Sequence, residues 1–241
     1  MMLNFKFSNE VWSLIPARSG SKRIKNKNLK KIGKLSLVAH AIKISKKTRY
    51  INRTFLSTDS KNIKIEGKKY EAEVPFLRSK KTSGDFANDY VVIKEFLMNI
   101  YKTENKLPKF IVLLRPTTPL RKKNIIDKAI LKFKKLKNYD SLISVHEMNE
   151  PVHKKFFIKK NMLEPVISSQ SIDGANNPRQ NFTKSYTANG YLDIIYTKNI
   201  FNNEYLGKKC FPFVIDRAID IDDKTDLFIA NSLYSRKNQN V

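Results

Sequence analysis

Val11-Trp12-Ser13-Leu14-Ile15-Pro16-Ala17 runs directly into Arg18-Ser19-Gly20-Ser21-Lys22-Arg23. The first seven residues form a short apolar run closing at Pro16, which predicts a buried first strand over 11–17. The next six carry three cations and two hydroxyls around one glycine, and a polar, basic loop continues from them to residue 34. Beyond the loop, apolar residues at 35, 38, 39 and 42 have the spacing of an amphipathic helix over 35–47. A second strand over 54–57 stops at Thr58-Asp59-Ser60, whose side chains suit the cap of a helix over 62–70. The alternation continues with a helix over 90–101 and a solid apolar strand over 110–114, broken by Pro116 and Pro119. A helix over 124–133 and a strand over 141–145 come next. Strands and helices alternating at these lengths predict an α/β fold with a mostly parallel sheet.

The pattern lapses over 146–186, where polar residues, Asn and Pro are frequent. That stretch reads as an active-site excursion, a dimerisation excursion or irregular loop. Strands return over 191–196 and 211–215, and a helix over 225–234 follows. No internal repeat and no linker divides the chain, so residues 1–241 are expected to form one domain that carries the excursion.

Composition excludes several function classes. The chain has 241 residues, 41% of them hydrophobic, enough to bury a full core. No run reaches the ~18 apolar residues of a membrane span, and the N-terminus lacks the pattern of a signal peptide. One cysteine, Cys210, excludes an internal disulfide framework and fits a reducing cytoplasm. With three histidines beside it, a structural zinc site is not expected. Lys plus Arg number 47 against 22 Asp plus Glu, a formal net charge of +25, which favours anionic partners. The excess is lysine spread through helices and loops, so it reads as a solvated surface; neither a nucleic-acid nor a membrane partner is expected.

Two clusters carry candidate chemistry. The loop at 18–23 suits a polyphosphate, although neither GxxxxGK[ST] nor GxGxxG is present. Only 7 glycines occur, and Gly20, Gly33, Gly84 and Gly190 fall in loops beside predicted elements, where positive φ or close ligand approach is often needed. The second cluster is Asp220-Ile221-Asp222, followed by Asp223 and Asp226. Carboxylates at i and i+2 in an extended segment point the same way and can share a divalent cation. Equally, Asp222 or Asp223 can cap the helix that follows.

Read together, seven blocks resemble the acylneuraminate cytidylyltransferases, the CMP-sialic acid synthetases. They are Ile15 to Ile24 with Lys27-Asn28; Ser57-Thr58-Asp59-Ser60; and Phe76-Leu77-Arg78 with Asp85 and Ala87. Then come Leu113-Leu114-Arg115-Pro116-Thr117-Thr118-Pro119-Leu120-Arg121, Pro178-Arg179-Gln180, Asn189-Gly190-Tyr191 and Asp220-Ile221-Asp222. The blocks run in the family's order from Val11 to about Ala230.

The resemblance implies a Rossmann-like nucleotidyltransferase domain whose 146–186 excursion is a dimerisation arm, hence a homodimer. It implies a cytoplasmic enzyme that transfers CMP from CTP to the anomeric hydroxyl of a nine-carbon acidic sugar of the sialic or legionaminic type, releasing pyrophosphate. A sister nucleotidyltransferase with another sugar or nucleotide is one alternative, and a basic nucleic-acid-binding protein, resting only on the net charge of +25, is the other. Arg18 and Lys22 would bind the triphosphate and stabilise the leaving pyrophosphate, with Lys27 beside them and Ser21 in the same loop. Asn28 and Arg78 would contact cytosine, Asn189 would line the sugar site, and Arg179 would reach the acidic sugar. Asp220 and Asp222 would hold Mg²⁺. The chain departs from the pattern at Arg115, where the family has Gln, at Thr187, where many members have Arg, and at Lys25, where Pro is usual. Arg115 is expected to meet the sugar carboxylate in place of the cation that Thr187 lacks; the alternative is an ion pair with an acid such as Asp85. The pseudaminic-acid branch looks less similar toward the C-terminus.

Overall fold

The computed structural model describes residues 5–239. Ten strands are present: β1 (Val11–Pro16), β2 (Lys31–Ile32), β3 (Leu35–Ser36), β4 (Arg53–Ser57), β5 (Phe110–Leu113), β6 (Ser141–Glu147), β7 (Phe156–Lys159), β8 (Met162–Pro165), β9 (Tyr186–Tyr196) and β10 (Cys210–Val214). The α-helices are α1 (Leu37–Lys47), α2 (Lys61–Lys69), α3 (Lys80–Ser83), α4 (Asp89–Glu104), α5 (Lys123–Lys135), α6 (Ile172–Ala175), α7 (Thr197–Phe201) and α8 (Lys224–Gln239).

Six strands form the central sheet in the order β10-β6-β9-β5-β1-β4. β1 pairs parallel with both β4 and β5, and β10 pairs parallel with β6. The apolar run of β1 is continuous because both faces are covered. Val11 and Ile15 pack with Val38 and Ile42 of α1 and Ile130 and Phe133 of α5. Trp12 and Leu14 pack on the other face with Ile93, Phe96 and Leu97 of α4. Ser13 and Ser45 interrupt these runs without an unpaired hydroxyl. Their Oγ atoms lie 2.6 Å apart, and Ser45 Oγ is 2.7 Å from Thr54 Oγ1.

The sheet differs from a plain parallel one at β9, which runs antiparallel between β5 and β6. This strand begins at Tyr186 rather than at the expected 191, and its register against β6 breaks between Ile143/Asp193 and Val145/Ala188. Three extra residues of β9 are thereby extruded as a bulge around Asn189 and Gly190, with Gly190 at φ 66. Gly33 also has positive φ, whereas Gly84 sits at φ −70 in ordinary backbone, so the glycine expectation does not hold there.

Within the 146–186 stretch, β7 and β8 make an antiparallel hairpin turned by Lys160 and Asn161, both at positive φ as a tight primed turn requires. The end residues His146 and Tyr186 belong to the sheet itself, in β6 and β9.

Candidate active site

The loops leaving the carboxyl ends of β1, β4 and β5 converge on a cavity of about 360 Å³, the position where open α/β sheets bind ligands. Arg18, Ser21, Lys22, Lys27, Asn28, Arg78, Arg115 and Asp222 all line it. Asp59, at the end of β4, shapes the basic loop: its carboxylate accepts from Ser19 N at 2.8 Å and Ser19 Oγ at 2.7 Å. Its neighbour Ser60 caps α2 by accepting from Ile63 N. Asp85 then takes two of the three loop cations, meeting Arg18 Nη1 at 2.7 Å and Lys22 Nζ at 2.6 Å. Those contacts, Lys22 first and Arg18 second, hold the Asp85 carboxyl below its ordinary value. An exposed carboxylate thus occupies the two cations that a phosphate would want.

Further in, Asn28 and Arg78 are both buried. Asn28 Nδ2 donates to the Arg18 carbonyl at 2.8 Å, tying the loop's start to its end. Among the described residues, the Nε and Nη2 of Arg78 have no hydrogen-bond partner. Burial lowers the tendency of this guanidinium to hold its proton. Unpaired buried donors on a cavity wall are costly without a ligand that accepts from them.

Arg115 lines the cavity, but its charge is already engaged. Nε and Nη2 donate to Asp89 Oδ2 at 3.2 and 2.5 Å, and Nη2 also reaches Asp193 Oδ2 at 2.7 Å. Burial opposes the charge, yet Asp193 and Asp89 outweigh it and raise the guanidinium's pKa above its ordinary value. The alternative reading, an ion pair with a nearby acid, is the one the structure has, although the acids are Asp89 and Asp193 and not Asp85, which serves Arg18 and Lys22. Nor is Arg115 a free cation awaiting a carboxylate; two acids hold it. Tyr205 completes the group, donating to Asp193 Oδ2 at 2.7 Å, and burial then pushes its hydroxyl pKa far up.

A second buried arginine holds the loop itself. Arg121 donates to the carbonyls of Arg115, Thr118, Gly190 and Tyr191, so the 115–121 turn is fastened to the β9 bulge. Thr118 Oγ1 in turn donates to Asp220 Oδ1 at 3.3 Å. A Cβ on Gly190 would stand 3.3 Å from Asp220 Oδ2, which explains glycine at this crowded point.

Asp220 and Asp222 are exposed on either side of fully buried Ile221, so they share the outward face of the segment. The capping question is resolved locally. Asp223 Oδ1 accepts from Asp226 N, and Asp226 Oδ2 accepts from Asp223 N and Asp222 N, so Asp223 is the cap. Asp222 keeps its carboxylate, which meets Lys27 Nζ at 3.3 Å while that ammonium also donates to the Ile221 carbonyl at 2.8 Å. The Asp222 carboxylate, paired with Lys27, and the Asp220 carboxylate, bonded by Thr118, are oxygen donors of the kind Mg²⁺ takes, one or two at a time, with water and phosphate oxygens filling its octahedron. Among the described residues no cluster of three acidic, His or Cys side chains forms a fuller cage.

Three expected site residues fall outside the cavity lining. Asp220 lies behind Asp222 against Thr118. Asn189 is buried in the bulge, its Oδ1 accepting from Ser144 Oγ and Tyr191 N and its Nδ2 left without a partner. Arg179 is not brought to the cavity at all: it is exposed in the excursion and donates to the Asn149 carbonyl. Conversely, Asp59, Asp89, Asp193 and Arg121 shape the site without having been singled out as ligands. Asp193 carried a signal, since it is the one acid inside the apolar run 191–196. Asp89 carried none, because an acid in a helix's first turn is ordinary.

Comparison with known proteins bears on the family and the fold. The family model described as Cytidylyltransferase matches residues 12–231. A pseudaminic acid cytidylyltransferase of Campylobacter jejuni is 28% identical over 225 residues, covering 92% of this chain and 94% of that protein. That extent removes the ground for setting the pseudaminic branch aside. The CMP-N,N'-diacetyllegionaminic acid synthase of the same species is 30% identical over 232 residues, covering 95% and 97%. Among solved structures, a CMP:2-keto-3-deoxy-manno-octonic acid synthetase complexed with CTP superposes with a TM-score of 0.71. It covers 95% of this chain and 99% of its own at 12% identity, a likeness of fold alone. The fold, the basic loop after β1 and the match along nearly the whole chain lead to one conclusion: this chain belongs to the Cytidylyltransferase family.

Proposed function

We propose that the protein transfers CMP from CTP to the anomeric hydroxyl of a nine-carbon α-keto acid sugar of the sialic, legionaminic or pseudaminic type. It does so in the cytoplasm and releases pyrophosphate. The observation that carries this reading is the single cavity in which Arg18, Lys22 and Lys27 stand beside the buried, unsatisfied guanidinium of Arg78. Phosphate oxygens can replace the carboxylates that now hold the three cations, and a base edge can accept from the donors that Arg78 leaves unpaired. In the reaction the sugar hydroxyl attacks the α-phosphorus in line. Arg18 and Lys22 exchange Asp85 for phosphate oxygens and stabilise the charge that builds on departing pyrophosphate. Ser21 adds a hydroxyl to that cradle, and Lys27 is steered by the Ile221 carbonyl. Asn28 and Arg78 select cytosine, and Asn189 borders the sugar through the β9 bulge. Asp220 and Asp222 would hold Mg²⁺, which when bound neutralises phosphate charge. Arg179, exposed in the excursion and bonded to the Asn149 carbonyl, takes no part in the nucleotide cradle. The exposed apolar hairpin of that excursion supports a homodimer.

Pyrophosphate release tests the reading, measured with CTP, UTP and ATP against a panel of nonulosonic acids. CTP should exceed UTP by at least tenfold, since each unpaired buried group costs roughly 1–3 kcal/mol with the wrong base. Equal turnover with UTP, or no release with any acid of the panel, overturns it.

A further inference from the structure

We propose that Asp89 is a hydroxyl-binding carboxylate of this cavity and that Arg115 is the positioning residue that aims it. Asp89 is the first residue of α4, but it does not cap the helix; Asn88 does, accepting from Val91 N at 3.1 Å. Its carboxylate therefore makes no capping bond, although it lies in the favourable first turn. Both bonds from Arg115 end on Oδ2, which leaves Oδ1 for a ligand in the cavity that Asp89 lines. The aim is firm, because Asp193, 1% exposed, anchors the far side of the same guanidinium and Tyr205 anchors Asp193.

The charge of this group decides the ligand. Two carboxylates share one guanidinium, so the group carries net −1 on the wall of a cavity whose other charged residues, apart from Asp222, are cations. A phosphate or a sugar carboxylate is repelled there. A carboxylate oxygen held by an arginine accepts well from neighbouring sugar hydroxyls, as an acidic residue does for ribose in dinucleotide sites. Such hydroxyls come either from the ribose of the nucleotide or from the acceptor sugar; the second source rests on the function proposed above. Arg115 thus contributes to specificity through Asp89 and not by meeting the acceptor's carboxylate.

The two sources separate experimentally. Calorimetric binding of CTP, 2′-deoxy-CTP and 3′-deoxy-CTP would be compared for wild type, Asp89→Asn and Asp89→Ala, alongside the steady-state KM for acceptor sugars. If ribose is the ligand, Asp89→Ala weakens CTP about ten- to hundredfold and abolishes the preference for CTP over a deoxynucleotide. If the acceptor is the ligand, KM for the sugar rises by that factor while kcat and nucleotide affinity stay within twofold. Asp89→Asn, which keeps an oxygen for Arg115, guards against loss of fold and should show the same pattern more mildly. Arg115→Gln should reproduce it and Arg115→Lys restore part of it, which a purely structural arginine would not do selectively. Unchanged deoxynucleotide discrimination together with unchanged sugar KM overturns the proposal. Should no acceptor react with the wild type, the enzymatic reading fails separately, and the deoxynucleotide comparison alone decides the role of Asp89.

Discussion

Asp222 and Asp223 are adjacent and do different work. Asp223 and Asp226 exchange backbone and side-chain hydrogen bonds at the start of α8, whereas the Asp222 carboxylate faces Lys27 and the cavity. The contrast makes a paired prediction. Asp222→Asn should leave the thermal midpoint unchanged, because no cap is lost, yet shift the Mg²⁺ dependence of turnover to higher concentration and cut activity at limiting Mg²⁺ at least tenfold. Asp223→Ala should behave in the reverse manner, losing about 1 kcal/mol of stability with the Mg²⁺ dependence intact. Denaturant melts and a Mg²⁺ titration of pyrophosphate release check both. An Asp222→Asn enzyme of unchanged Mg²⁺ requirement would return that residue to a structural role.

At the level of elements, the β7–β8 hairpin stands apart from the rest of the sheet. It has a two-stranded ladder of its own, and Phe157, Ile158, Met162 and Leu163 are all exposed on it, Ile158 at 77%. An isolated hairpin is marginal in water, and an apolar one is a surface in want of cover. A second copy of the chain would supply that cover. Ile158→Asp should therefore convert a particle of twice 28.0 kDa into one of 28.0 kDa in light scattering after size exclusion. It should leave the melting of the central domain nearly unchanged, since Ile158 touches none of the buried core clusters. A wild type that is already monomeric removes the dimer from the proposal.

For the molecule as a whole, the formal charge of +25 acts through distance and not through contact. Asp85 neutralises part of the loop's charge locally, but 47 cations against 22 anions leave a net positive surface, which on the proposed function would speed the approach of a polyanionic nucleotide. Raising salt from about 0.1 M to about 1 M shortens the screening length from about 10 Å to about 3 Å. KM for CTP should then rise severalfold, and KM for a singly charged acceptor sugar should rise less. Salt-independent KM values for CTP would show that binding rests on contact alone.

The boundaries of most elements were legible in the chain because they depend on neighbours in sequence. The apolar run at 11–17, the 3.6-residue spacing after residue 35 and the Thr58-Asp59-Ser60 stop each record local burial or capping, and the structure has β1, α1 and α2 there. The basic loop after β1 was legible for the same reason, as six consecutive residues. What tertiary structure decided are the relations between distant segments. Periodicity states which side of a strand is buried but not its direction, so the antiparallel insertion of β9 and its bulge at Asn189 could not be read from 191–196. Charge composition likewise names candidate ions without naming their partners. Arg115 finds Asp193 across 78 positions, and Arg18 finds Asp85 across 67. Whether an arginine is a free anion receptor or the centre of a paired network is settled by which carboxylates the sheet brings within 3 Å of it, and only the folded chain sets that distance.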